Sequence, residues 1–323
     1  MMEGNKSAVG ASPAGSAPAE RPANSGGKIV LIDKIAVGIL LAAAVFLFVF
    51  VSQFQHIPSP IYGGDFYMAR GFTQAILNGQ PIWQDPYFKG EYAYYAWLPF
   101  LLTAGLVKLT GVGLERMSTI FPAILQLFYL AACYLFGSAL FKSKKYGLIF
   151  MLAALSVKLI DMKISGALAA IFMLLTLYSL VRYEQGSKRH GWMMGLFMGL
   201  TALSHVNIFF GLILIVGTTF LAEFIIKLAK KEPGIGAGTT TGTWNHILKV
   251  VVKTLKRYLL PLLIAAGLAL LLVGPWLFVY HMKTLNPAQQ YSTQDVSKLG
   301  IGWVLQIFFA LFIRTGILNI IWG

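Results

Sequence analysis

From Ile35 to Val51 the chain runs without one polar side chain. Such a stretch is stable as a helix in hydrocarbon, because there each backbone amide must be satisfied within the segment itself. Comparable apolar runs recur along the sequence, and only 12% of the residues are charged. Soluble globular chains carry about 25%. With 57% hydrophobic residues and a mean hydropathy of +0.70, the sequence predicts an all-α integral membrane protein of seven or eight transmembrane helices. Cys133, the single cysteine, lies inside an apolar run and reads as a small buried apolar residue, which leaves no disulfide framework and no cysteine metal site.

The net charge of +14 would suit nucleic acid, but its distribution follows membrane topology instead. Residues 1–27 are rich in Gly, Ala, Ser and Pro and read as a disordered tail. Spans are expected at roughly 35–55, 117–141, 146–161, 165–182, 190–206, 207–228 and 258–280. The segment 94–109 holds Pro99 and Lys108, and its clean part, Leu98 to Val107, covers only about 15 Å. It reads as a helix on the membrane surface, with a short span as the rival. On the first reading, one side collects Lys142, Lys144, Lys145, Arg182, Lys188, Arg189, Lys227, Lys230, Lys231, Lys249, Lys253, Lys256 and Arg257. The other has scattered residues such as Arg70, Lys89, Arg116 and Lys283. The N-terminus is therefore expected in the cytoplasm, 55–116 as the first outer loop and 229–257 as a basic inner loop. That inner loop starts with a Gly/Thr linker and continues as a basic amphipathic helix suited to an anionic leaflet. Ile301–Trp322 is either an eighth span or a surface helix, and its end lacks a basic anchor.

This topology gathers the chemistry-bearing residues on the outer face. "GGDFYMAR" places Asp65 and Arg70 just past the first span. Asp161 and Lys163 occupy one very short connection, "VKLIDMKISG", and His205 another, "ALSHVN". Short turns hold side chains at the interface near the bundle axis. Three separate segments thus bring an acid, a base and a cation toward one pocket, which is what an enzyme acting on a lipid-phosphate substrate needs. Structural readings stand beside these. Asp65 is also placed to cap a helix over 66–77, Arg70 to snorkel to headgroups, and Asp161 and Lys163 to pair with each other. His205 also reads as a turn residue. Asp85 and Glu91 read as solvated turn residues, and Trp83, Tyr87 and the 92–97 cluster as interface aromatics that also suit sugar stacking. Arg314 lies in an apolar run, where a charge needs a partner such as a phosphate.

At these residues the sequence resembles the GT-C superfamily of integral membrane glycosyltransferases over roughly residues 35–230. The carrying pattern is a first span, then "GGDFYMARGFTQAILNGQPIW", then "YYAWLPFLLTAGLVKLTG", the span "ERMSTIFPAILQLFYLAACYLFGSALF", a basic turn, and "GLFMGLTALSH". The last is similar to the Gly-Leu-rich span of oligosaccharyltransferase catalytic subunits and of protein O-mannosyl and aminoarabinose transferases. The resemblance implies a GT-C-like bundle, an extracytoplasmic site, a polyprenyl-phosphate-linked sugar donor and inversion at the anomeric carbon. It makes Asp65 the essential first-loop acid and sets Asp161 in the second-loop position. Oligosaccharyltransferase-type members carry two acids there for a divalent metal, Mg or Mn. Here Asp161-Met-Lys163 supplies one acid and a cation, which favours a metal-independent monosaccharide transferase with no further cofactor; the alternative is a divalent metal held by Asp65 and Asp161. Lys163, His205, Arg314 and Arg70 are then the expected donor-phosphate ligands, with Trp83, Tyr87 and Glu91 as acceptor or sugar contacts. The large soluble C-terminal domain common in the superfamily is absent from these residues, so a further module or partner subunit is expected. Two rival readings remain: a transporter or flippase of a lipid-linked substrate, and a non-catalytic membrane subunit of the same fold.

Overall fold

The computed structural model describes residues 31–53, 64–88, 95–157, 163–229 and 240–284. Among them the chain forms nine α-helices: α1 Leu31–Ser52, α2 Gly64–Leu77, α3 Leu98–Thr110, α4 Leu114–Leu140, α5 Lys144–Val157, α6 Ile164–Glu184, α7 Arg189–Ser204, α8 Val206–Ala229 and α9 Thr240–Thr284. Five carry segments long and apolar enough to cross a membrane: α1, α4, α6, α8 and, within α9, Ile247–Leu271. The protein is accordingly an all-α membrane protein. Its apolar exposure fits that setting, since Leu41, Phe46 and Phe48 of α1 and Leu221, Ile225 and Ile226 of α8 face outward. The expected spans 146–161 and 190–206 appear as α5 and α7, of 14 and 16 residues. At about 21 and 24 Å they fall short of the roughly 30 Å hydrocarbon core.

Three apolar clusters hold the bundle. Phe121 and Leu125 of α4 pack on Leu168 and Ile171 of α6. Met194 and Met198 of α7 meet Leu212 of α8 and Ala265 of α9. Ala36 and Ala43 of α1 meet Leu130 of α4 and Met151 of α5. Cys133 is buried in the first cluster, as its surroundings in the sequence predict.

Small residues decide how closely α7 sits. Gly191, Gly195 and Gly199 recur every fourth position and so share one face. A Cβ on Gly195 would lie 2.4 Å from the Pro261 carbonyl oxygen and 2.9 Å from its Cα; one on Gly199 would lie 2.5 Å from Leu268 Cβ. Backbone cannot step aside as a flexible side chain can, so α7 and α9 approach only because the stripe lacks side chains. Gly195→Ala is expected to cost about 1–3 kcal/mol through overpacking. Gly217→Ala, where a Cβ meets nothing within 4 Å, should be neutral or slightly stabilising. Thermal unfolding of the two variants in detergent checks the contrast, and equal midpoints would refute the close packing.

The sequence separates a basic inner helix from a last span beginning near 258. The structure joins them into one 45-residue helix, α9. Arg257 and Tyr258, at the expected boundary, instead tie α9 into the bundle. The Arg257 guanidinium donates to Glu223 of α8 at 2.7 Å and pairs with Glu184 of α6 at 3.0 Å. The Tyr258 hydroxyl donates to the second Glu223 oxygen at 2.8 Å, beside the Glu184 carboxylate, and Lys227 also pairs with Glu223. Arg257 lies 5.1 Å above the Tyr183 ring, adding a cation–π contact. Glu223 lies within α8, about 9 Å from the end of the helix. Lys227 pairs with it locally along α8, whereas Arg257 and Tyr258 reach it from α9, a pairing that local sequence does not show.

Candidate functional site

The helix ends build one cavity. Its volume is about 330 Å³, and its walls come from five helices and the residues that connect them. Phe66, Met68 and Ala69 belong to the first turns of α2; Ile164 and Ser165 open α6; Val206 and Asn207 open α8; Ser204 closes α7. Lys163 and His205 lie on the same wall, and Tyr95, Ala96 and Phe100 complete it from the start of α3. Three helices therefore begin at this cavity. A helix N-terminus presents backbone N–H groups without intrahelical partners and carries about half a positive charge. Three such ends together with Lys163 make an electropositive recess suited to an anion.

The backbone explains why Lys163 and His205 are delivered there. Lys163 sits just before α6 in an extended conformation, φ −81° and ψ 91°, and its carbonyl accepts the Ala167 N–H at 3.0 Å. Its side chain is exposed. His205 is the sole residue between α7 and α8. Its extended backbone, φ −164° and ψ 113°, breaks the helical path; its N–H donates to Thr201 O at 2.9 Å and its carbonyl accepts from Phe209 N at 3.1 Å. One residue thus ends one helix and starts the next, which holds the imidazole at the cavity wall. The two short connections singled out from sequence meet here, from positions more than forty residues apart.

The first outer loop forms the remaining wall through aromatic packing. Phe72 of α2 stacks on Phe100 of α3 at 5.0 Å and 11°, and Tyr95 and Tyr87 pack against it at 5.7 and 6.0 Å. The Tyr87 hydroxyl donates to Tyr67 O at 3.0 Å. A Cβ on Gly71 would fall 1.9 Å from that hydroxyl, so glycine is required for the turn 81–88 to dock on α2. The turn is shaped by Asp85, whose carboxylate accepts the Tyr87 N–H at 2.8 Å and the Phe88 N–H at 3.2 Å. Burial, and then the Asp85 charge, push the Tyr87 hydroxyl above its ordinary pKa, so it remains a donor at neutral pH. Tyr87 therefore positions α2, and Trp83, half exposed, does not line the cavity.

Asp65 is the second residue of α2, which begins two residues earlier than a cap at this position would require. It falls in the first turn, where a carboxylate is favoured by the helix dipole. Its side chain lies outside the described atoms, but the next residue, Phe66, is in the cavity wall. Arg70 pairs with Glu115 of α4 and is not part of that wall. This half-exposed ion pair clips α2 to α4. Glu91, Asp161 and Arg314 lie outside the described residues.

Several wall residues carry a signal that the charged residues overshadowed. Ser165 follows Lys163 by two positions, and Ser204 and Asn207 flank His205, so each short connection holds a cluster of polar groups inside an apolar context. Ser204 is fully buried, and its hydroxyl donates back to Leu200 O at 2.7 Å. The described polar lining includes an ammonium, an imidazole, three hydroxyls and a carboxamide. Mg and Mn select carboxylate and other hard oxygen ligands, and no three His, Cys, Asp or Glu residues gather among the described residues. The acids that the sequence offers to a metal, Asp161 and the side chain of Asp65, lie outside the described atoms. Comparison with protein-family models, curated proteins and solved structures finds no match. Fold and lining together define a class: an all-α membrane protein with a polar-lined cavity where several of its helices begin.

Proposed function

We propose that the chain is a GT-C-type glycosyltransferase that moves a sugar from a polyprenyl-phosphate-linked donor to a lipid, glycan or protein acceptor. The observation that carries this reading is the convergence of Lys163, His205 and the first turns of α2, α6 and α8 on one cavity, directly beside Asp65. The positive-inside count sets this cavity on the extracytoplasmic side of a cell-envelope or equivalent membrane. In that frame α5 and α7 complete a bundle of seven spans or more, with α7 shielded from lipid by its neighbours, and α2 and α3 lie on the outer surface.

The chemistry follows from the groups present. The acceptor hydroxyl attacks the anomeric carbon as the bond from that carbon to the phosphate oxygen breaks, so the configuration inverts. The leaving polyprenyl phosphate keeps the bonding electron pair and gains negative charge. Lys163 and the helix N-termini stabilise that charge. His205 donates a hydrogen bond to a phosphate oxygen. Asp65 orients the acceptor and takes its proton. The small size of the cavity favours a single sugar, and the one acid and one cation of Asp161-Met-Lys163 favour a step without metal. The test is to incubate purified full-length protein in lipid vesicles with radiolabelled polyprenyl-phosphate sugar and an envelope extract as acceptor source. Label should move from the lipid donor to acceptor. Movement of an intact labelled donor across the bilayer without transfer would place the chain among flippases instead.

A further inference from the structure

A second cavity occupies the other end of the bundle, and its charged lining is mostly cationic. It measures about 610 Å³ and lies among the last turns of α4, the 141–143 turn and the end of α6. Lys142, Lys144 and Arg182 line it, against one acid, Asp33. Asp33 is already engaged, accepting from the Tyr134 hydroxyl and pairing with Lys144. Arg182 donates to the neutral Gln185 carboxamide at 3.0 Å. Lys142 and Arg182 have no acidic partner among the described residues. Gln185 also donates to Ala139 O at 3.0 Å, which fixes the end of α6 against α4.

The backbone at Lys142 points the same way. With φ 51° it is the one non-glycine residue in the left-handed region among the described residues. Glycine is the favoured residue there and a side chain carries a strain cost. The turn is closed by Ser143 N–H to Ser138 O at 3.1 Å, and α5 begins at the next residue, so its first N–H groups adjoin the two cations. Leu135 and Tyr178 give the cavity an apolar flank. Along α6, Arg182 lies about 26 Å from Ser165 of the candidate site, close to the thickness of a hydrocarbon core.

We infer that this second cavity binds a phosphate group, presented by an anionic phospholipid headgroup of the leaflet opposite the candidate active site. Arg182 supplies the planar fork that matches phosphate oxygens, Lys142 a point charge, and the α5 N-terminus further donors. Leu135 and Tyr178 accommodate the start of the acyl region. The inference is independent of the sugar-transfer reading, since it uses none of the same residues.

Native mass spectrometry of the purified full chain tests it, with phosphatidylglycerol and phosphatidylcholine offered together and inorganic phosphate added in a separate arm. The wild type should retain one phosphatidylglycerol with about tenfold preference over phosphatidylcholine. Lys142→Gly removes the cation while relieving the left-handed strain, so it should fold at least as well as wild type; combined with Arg182→Gln it should bring retention to parity. Lys142→Arg should keep most of the preference. Displacement by millimolar inorganic phosphate would support the site and assign it to free phosphate, whereas retention against phosphate assigns it to lipid. Parity in the wild type, or an unchanged preference in the folded double variant, would overturn the inference.

Discussion

Asp65→Asn is expected to abolish sugar transfer while leaving membrane insertion and folding intact. The substitution keeps size and removes charge. Asp65 lies in the first turn of α2, where losing a carboxylate costs about 0.3–1 kcal/mol of dipole stabilisation, too little to unfold the bundle. If it takes the acceptor proton, the loss of rate should be about a thousandfold, within the ~10²–10⁴-fold range for a positioned general base. The donor affinity should hardly change, since the phosphate is held by other groups. Transfer at the wild-type rate in a correctly inserted variant would remove Asp65 from the reaction.

Lys163→Ala should have the complementary phenotype. Lys163 is exposed at the cavity, and its backbone carbonyl at the start of α6 is supplied equally by alanine. The thermal midpoint should therefore stay near that of wild type. Donor affinity should fall about a hundredfold, since truncating one member of a desolvated charge contact costs ~2–5 kcal/mol. Lys163→Arg should recover part of the loss by restoring charge with altered geometry. A titration of polyprenyl phosphate against each variant measures this directly; equal affinity for wild type and Lys163→Ala would refute the assigned phosphate contact.

The sequence exposed the parts of this molecule that depend on short-range pattern. Unbroken apolar runs foretold α1, α4, α6 and α8, because transfer to hydrocarbon is nearly a sum over residues. Polar residues stranded in very short connections foretold that Lys163 and His205 would meet, because such turns leave their side chains little freedom of position. What stayed hidden depends on partners distant in sequence. Arg70 was assigned to phosphate from its place in the outer loop, but its pairing with Glu115 needs the packing of α2 on α4. Tyr87 read as an interface aromatic, and its role as the clamp on α2 requires the missing Cβ of Gly71 sixteen residues earlier. The glycine spacing on α7 was visible, but only the backbone of Pro261 shows why it matters. The continuity of α9 was masked by composition, since the basic half and the apolar half looked like different elements. The convergence of three helix N-termini is the same kind of fact: each start is local, and their meeting is not.

In the proposed function, the cavity between Lys163 and His205 holds the phosphate of a lipid-linked sugar. The most direct measurement is photo-crosslinking of the full chain in vesicles with a polyprenyl phosphate carrying a photoreactive group next to the phosphate, followed by peptide mapping. Label is expected in the peptides containing Lys163–Ser165 and Ser204–Asn207, and it should be lost when unlabelled polyprenyl phosphate is added. Label spread along the outward faces of α1 and α8, and unaffected by that competitor, would contradict the account.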